Sequence, residues 1–136
     1  MSRVTPSERE LFDRLLQQVI AELPPRLQRL LEEVPVIVDD APTPQILHRL
    51  GLEDDEGGAL CGLYTGIPLT RKSVEHSDVL PDAIHLFRDG VLDEAADKQG
   101  YVSDESLLQQ VRVTLLHEMG HHFGLDEADL RGLGYG

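Results

Sequence analysis

The sequence predicts a fold that combines α-helices with short β-strands. A capping box formed by Thr5 and Glu8 precedes apolar residues that recur at helical spacing up to residue 23. Three short apolar segments, at residues 34–38, 60–64 and 83–87, are typical of strands. Ser103, followed by two acids, predicts a long helix that ends near Phe123 because Gly124 follows it.

The connecting segments are mostly predicted to be turns and loops. We expect short helices over residues 26–33 and 43–50, the second ended by Gly51. The acidic, glycine-containing run at 53–58 predicts a solvated loop, and a long loop separates the second and third strands. Arg88-Asp89-Gly90 predicts a turn and residues 93–100 a polar connection, while Asp126 can cap a last short helix through Leu130.

Length and composition indicate one globular domain over residues 1–136. The chain is 40% hydrophobic and 27% charged, which is globular composition. Its net charge of −13 disfavours nucleic acid and anionic membrane surfaces as partners. The charged N-terminal segment lacks the apolar stretch of a signal peptide, so we expect a cytoplasmic protein.

Cys61 is the single cysteine of the chain. It can form no intrachain disulfide and no C-x-x-C zinc site, so any metal must be held by histidines and carboxylates. Because its neighbours are apolar, we expect Cys61 to be a small buried residue and not a nucleophile.

The segment HEMGHHFGL, which begins at His117, contains an HExxH motif on the predicted long helix. Residues 117 and 121 lie about 40° apart around a helix and one turn apart along it, so both imidazoles can reach one ion. Glu118 is offset by about 100° from His117, where a base for a metal-bound water belongs. The alternative is an ordinary helix whose histidines are merely solvated.

A helical wheel separates the motif from the predicted packing face. His117, Glu118 and His121 lie beside Thr114, on the side opposite the apolar residues. His122 falls on the apolar side, where a core histidine, or one that supports a ligand, is expected. The apolar face consists of Leu107, Leu108, Val111, Leu115, Leu116, Met119 and Phe123.

A zinc site of this type needs a third protein ligand. Residues 122–136 leave little sequence for a thermolysin-like glutamate on a separate downstream helix. Gly124 lets the chain reverse, as in HExxHxxGxxH proteins, and bring Glu127 back to the metal, although no methionine is present for a Met-turn. Glu127 is therefore the favoured third ligand, and Asp126 is its rival.

Beyond the motif, the chain resembles the bacterial zincin-like, minimal metallopeptidase-like family of zinc peptidases. The resemblance covers residues 24–133, through the segments VIVDDAP, LCGLYTGIPL, LPDAIHL and HEMGHHFGL. It implies an α+β zincin-like fold, with a small mixed sheet packed on the active-site helix. It also implies a third ligand at the acid that follows HExxHxxGxx, an aspartate in similar peptidases and Glu127 here.

The expected function is hydrolysis of peptide bonds in a peptide or protein substrate. Zinc would be held by His117, His121 and Glu127, with Glu118 as the general base. Candidate donors to the developing oxyanion, which sequence does not distinguish, are Tyr64, Arg71, His76 and Tyr135. His48 and His85 are expected to be structural. The alternative is a non-catalytic module, with structural or no metal, that binds a protein or peptide partner; the presence of Glu118 favours the enzyme.

Overall fold

A computed structural model describes residues 4–51, 60–65 and 82–124, together with residues 128 and 131. In these residues the chain forms five helices and three strands. In chain order they are α1 (Pro6–Glu22), α2 (Pro25–Leu31), β1 (Val36–Asp39), α3 (Pro44–Leu50), β2 (Gly62–Thr65), β3 (Ala83–Phe87), α4 (Arg88–Ala95) and α5 (Asp104–Phe123).

The predicted helix starts are confirmed by their caps. The Thr5 hydroxyl accepts a hydrogen bond from the Glu8 N–H at 3.1 Å, and the Glu8 carboxylate accepts one from the Thr5 N–H at 2.9 Å. The Thr43 hydroxyl likewise accepts from Ile46 at the start of α3. These local bonds satisfy amide groups that have no partner within the helix.

The three strands form one small mixed sheet in the order β1-β3-β2. β1 runs parallel to β3, with Val36 opposite Ile84, and β2 runs antiparallel to β3, with Gly62 opposite Leu86. β3 has the predicted bounds, whereas β1 and β2 begin about two residues later than the apolar pattern suggested. The sheet is therefore the small mixed sheet that the family resemblance implied.

The hydrophobic core lies where α5 packs against α1, α4 and the sheet. The Arg112 side chain of α5 forms an ion pair with Glu22 of α1 at 3.0 Å. No helix among the described residues is long and apolar enough to cross a membrane. The largest fully buried side chains of the core include Phe12, Val19, Leu27, Val34, Ile84, Leu86, Val91, Leu107, Val111, Leu115 and Met119.

The predicted turn at Arg88-Asp89-Gly90 is wrong, because these residues begin α4 directly after β3. Gly90 costs a helix about 1 kcal/mol relative to alanine, but burial of Val91 and Ala95 offsets that cost. Gly90 also allows a close approach, since a Cβ there would clash with the Leu60 carbonyl. The polar connection that we expected from residue 93 begins only after Ala95.

Charged side chains join α1 to the ends of β1 and β3. Arg88 binds Asp13 at 2.8 Å and Asp40 at 2.9 Å, and its guanidinium lies 5.6 Å from the centre of the Phe12 ring. Arg9 also binds Asp40, at 2.7 Å. Arg88 thereby links three parts of the chain that are distant in sequence.

The predicted loops at 53–58 and 66–81 lie outside the described residues. The predicted last helix, over 126–130, also lies outside them except for Ala128.

Candidate metal centre

Local capping fixes the helix that carries the motif. The Ser103 hydroxyl accepts the Ser106 N–H at 3.0 Å at the start of α5, as its sequence predicted. Gly124 ends the helix in the left-handed conformation, with φ of 69°, and its N–H donates to the Gly120 carbonyl. The HExxH residues therefore occupy the last two turns of α5.

The two motif histidines lie side by side on this helix. The His117 and His121 ring centroids are 4.4 Å apart, and both side chains are exposed. One ligand atom from each of His117, Glu118 and His121 can be chosen so that all lie within 4.8 Å of one another. Imidazole nitrogens and a carboxylate oxygen are donors that zinc prefers, so this set of side chains fits a zinc ion.

Glu118 corrects the expectation that the whole motif faces away from the packed side of α5. Its side chain is buried, with 6% of the residue exposed, and Thr114 one turn earlier is buried as well. The reason is β2, which lies against this side of α5 at Gly62. The helix thus has a second packed side that its own apolar periodicity does not reveal.

The surroundings of the Glu118 carboxylate act on its acidity in opposite directions. Burial raises its pKa, and this effect is the largest. His121, His117 and a hydrogen bond from the Tyr64 backbone N–H lower the pKa in part. The Nδ1 atom of His121 lies 3.3 Å from Glu118 Oε1. The carboxylate is therefore a stronger base than an exposed glutamate while remaining next to both imidazoles.

His122 of α5, which directly follows the motif, forms an aromatic contact with Tyr64 of β2. His122 is 2% exposed, and its ring centroid lies 4.9 Å from that of Tyr64 and 4.3 Å from that of Phe123. The predicted core position of His122 is thereby confirmed. The Tyr64 hydroxyl donates to Asp82 at 3.4 Å, and burial, with help from Asp82, raises the pKa of Tyr64 to about 12.

His85 and Cys61, for which the sequence predicted structural roles, both lie in partly buried positions. His85 Nε2 lies 3.2 Å from the Thr65 hydroxyl on β2. Cys61 is half-buried against the core, and burial is the main factor that raises the pKa of its thiol. A thiol with a raised pKa is a poor nucleophile, which agrees with the packing role expected for Cys61.

Of the proposed third ligands, both Glu127 and Asp126 lie outside the described residues. The same holds for Arg71, His76 and Tyr135 among the candidate oxyanion donors, so Tyr64 is the one candidate of that group with described surroundings.

Sequence reasoning missed the role of β2 beside Glu118. Gly62 and the Tyr64 backbone belong to a strand that lies more than fifty residues before the motif in the chain. Helical periodicity around the motif therefore contains no information about them. The available signal was a glycine inside an otherwise apolar strand, which often marks a close approach of another backbone or helix.

A family comparison agrees with this geometry. The family model described as zincin-like metallopeptidase matches residues 31–135, a range that contains the whole sheet and α5. No curated protein gives a significant match. The match spans most of the chain and includes the helix on which two imidazoles and a carboxylate converge, so this chain belongs to the zincin-like metallopeptidase family.

Proposed function

We propose that this protein is a zinc-dependent peptidase that hydrolyses peptide bonds in a peptide or protein substrate. The observation that carries the proposal is the convergence of His117, Glu118 and His121 on one small volume. Two of these side chains are exposed and the third is buried, as expected where an ion and a substrate must enter but a base must be held.

The metal would be held by His117 and His121, with Glu127 as third ligand and Asp126 as its rival. Imidazoles supply the neutral nitrogen donors that zinc favours, and a carboxylate completes the ligand set of many catalytic zinc sites. When bound, zinc acts as a Lewis acid that makes water more acidic and polarises the carbonyl of the bond to be cleaved.

Glu118 would act as the general base. Its carboxylate takes a proton from the attacking water and then delivers it to the nitrogen of the leaving amine. The pKa that burial raises makes this carboxylate a better proton acceptor than an exposed glutamate.

The test compares wild type with Glu118→Gln, which keeps the size of the side chain and removes its basicity. We expect turnover of a quenched-fluorescence peptide library to fall by about 10²- to 10⁴-fold. Zinc content, measured by elemental analysis of the purified protein, should stay near that of wild type. His117→Ala should lose both zinc and turnover.

Glu105→Gln is the matched control, since Glu105 is an exposed acid in the first turn of the same helix. It should leave zinc content and turnover unchanged. Equal turnover in wild type and Glu118→Gln would contradict the assignment of the base. A wild-type protein that holds zinc but cleaves no peptide would support the non-catalytic binding module instead.

A further inference from the structure

Gly62 lies at the point of closest approach between β2 and α5. A Cβ atom at this position would lie 2.8 Å from Thr114 Cγ2, 3.0 Å from the His85 carbonyl oxygen and 3.2 Å from Glu118 Cγ. A carbon at 2.8 Å from a methyl group overlaps it, so a side chain here would require Thr114 to shift or β2 and α5 to move apart. The absence of a side chain at Gly62 therefore permits the close spacing between the strand and the helix.

The register of β2 turns one of its amides towards α5. The Phe87 N–H donates to the Cys61 carbonyl at 2.8 Å, which makes residues 61 and 87 a hydrogen-bonded pair. Such pairs alternate along an antiparallel ladder, so Leu63 with His85 is the next one. The N–H groups of Gly62 and Tyr64 consequently point away from β3.

The outward N–H of Tyr64 acts on the Glu118 carboxylate, whose pKa it lowers. A backbone amide fixed by the sheet thus acts on this carboxylate from one side, and His121 Nδ1 lies 3.3 Å from it on its own helix. A charged carboxylate that is nearly buried is costly unless such donors compensate for lost water. Moving β2 outward would remove the donor that belongs to the sheet.

We propose that Gly62 is a positioning residue for Glu118: it lets β2 lie close enough to α5 for the Tyr64 N–H to hold the carboxylate beside the two histidines. The consequence for catalysis rests on the proposed function, because it requires Glu118 to be the base. The contact itself does not, and it can be tested in the protein without metal.

The first experiment measures amide hydrogen exchange by NMR in metal-free protein, for wild type and Glu118→Ala. Loss of the carboxylate should speed exchange of the Tyr64 amide by about tenfold, which corresponds to one charge-assisted hydrogen bond. The Leu63 amide, which faces His85 within the sheet, should change much less. Equal Tyr64 exchange in the two proteins would overturn the proposal.

The second experiment uses Gly62→Ala, Thr114→Ser and the double variant Gly62→Ala/Thr114→Ser. The serine keeps the hydroxyl that accepts from Gln110 at 3.2 Å and removes the methyl group that the new Cβ would meet. We measure kcat and KM on one peptide selected from the library, and zinc affinity by competition with a chromophoric chelator. Thr114→Ser alone serves as the control and should behave as wild type.

For Gly62→Ala we expect kcat to fall about tenfold, while KM and zinc affinity change by less than about threefold, since the histidines stay in place. The double variant should recover part of the lost kcat. A parallel fall in zinc affinity, or a folded double variant with no recovery, would overturn the proposal. If Gly62→Ala does not fold, the comparison of Tyr64 amide exchange in wild type and Glu118→Ala decides whether the proposal holds. A wild-type protein without turnover contradicts the peptidase assignment and leaves the contact between β2 and Glu118 untouched.

Discussion

The carboxylate of Glu118 and the two imidazoles beside it lie in different environments. His117 and His121 are exposed, and 54% of the His121 side chain is accessible, whereas Glu118 is nearly buried. Exposed imidazoles can exchange solvent for an ion without rearranging the core. A buried carboxylate has few alternative positions, which reduces the entropy lost in aligning it with a reacting water.

His85 provides a prediction about pH. Burial lowers the pKa of its imidazole below the ordinary value of 6.5, and the charge of Asp39 opposes this effect in part. As the pH falls below about 6.5, the unfolded chain binds a proton that the folded protein resists, so the free energy of unfolding falls. His85→Gln cannot titrate and should lose this contribution to the pH dependence.

Chemical denaturation of wild type and His85→Gln between about pH 7 and pH 5 checks this expectation, because the other titrating groups are shared by both proteins. The wild type should lose stability more steeply towards acid. His48→Gln, at an exposed position on α3, controls for the removal of a histidine. Parallel curves for wild type and His85→Gln would contradict the prediction.

At the scale of single elements, α3 and α5 end in the same way. Gly51 and Gly124 follow the two helices with φ of 71° and 69°, a conformation that costs an alanine about 1 kcal/mol. Gly51→Ala and Gly124→Ala should each lower the free energy of unfolding by about 1 kcal/mol. Urea denaturation measures both losses.

Only the change at Gly124 should reach the metal site, since this residue directly follows the turn that carries His121. We expect Gly124→Ala to weaken zinc binding by about fivefold, which corresponds to about 1 kcal/mol of strain. Gly51→Ala is the matched control, and no described atom beyond its chain neighbours lies within 4 Å of the Cβ that it adds. Equal zinc affinity in the two variants would contradict a role for the Gly124 cap in holding His121.

The elements that sequence predicted well are those with local signals. Ser103 and Gly124 bracket α5, and Thr5 with Glu8 opens α1, because a cap is a bond between near neighbours. The α4 helix was missed since its start contains Gly90, a residue that is common in turns. What stabilises α4 is contact between Val91 and the core, which a local pattern does not contain.

At the scale of the whole molecule, Arg88 and Arg9 both connect α1 to the end of β1 through Asp40, and Arg88 is the more buried of the two. It is 13% exposed and binds both Asp13 and Asp40, whereas Arg9, which also binds Asp40, is 41% exposed. Arg88→Met removes the charge and keeps most of the aliphatic length. We expect it to lower the free energy of unfolding by about 1 to 3 kcal/mol, since Asp40 loses one of the cations that bind it.

Arg9→Met is the comparison for this prediction, and it should cost less because water screens an exposed ion pair. Urea unfolding midpoints, with slopes that stay the same, measure both effects. A loss for Arg9→Met as large as that for Arg88→Met would show that burial does not decide the strength of this network.

Some features of the candidate site depend on neighbouring residues in the sequence, and others depend on contacts between distant elements. The positions of His117 and His121 follow from helical spacing, and the structure brings their rings together as predicted. The burial of Glu118 depends on Gly62, and the sequence contains no statement of how far β2 lies from α5. Distances between elements depend on the packing of the entire core, so no single segment specifies them.

Gly62 and Gly90 lie on either side of Cys61 in space, the first against α5 and the second against the Leu60 carbonyl. The segment from Leu60 to Gly62 is therefore closely packed against both α4 and α5. A side chain at either glycine would meet atoms that already lie within 3.0 Å of its Cβ position. Neither glycine carries a reactive group, yet each bears on the site through the close contact that it permits.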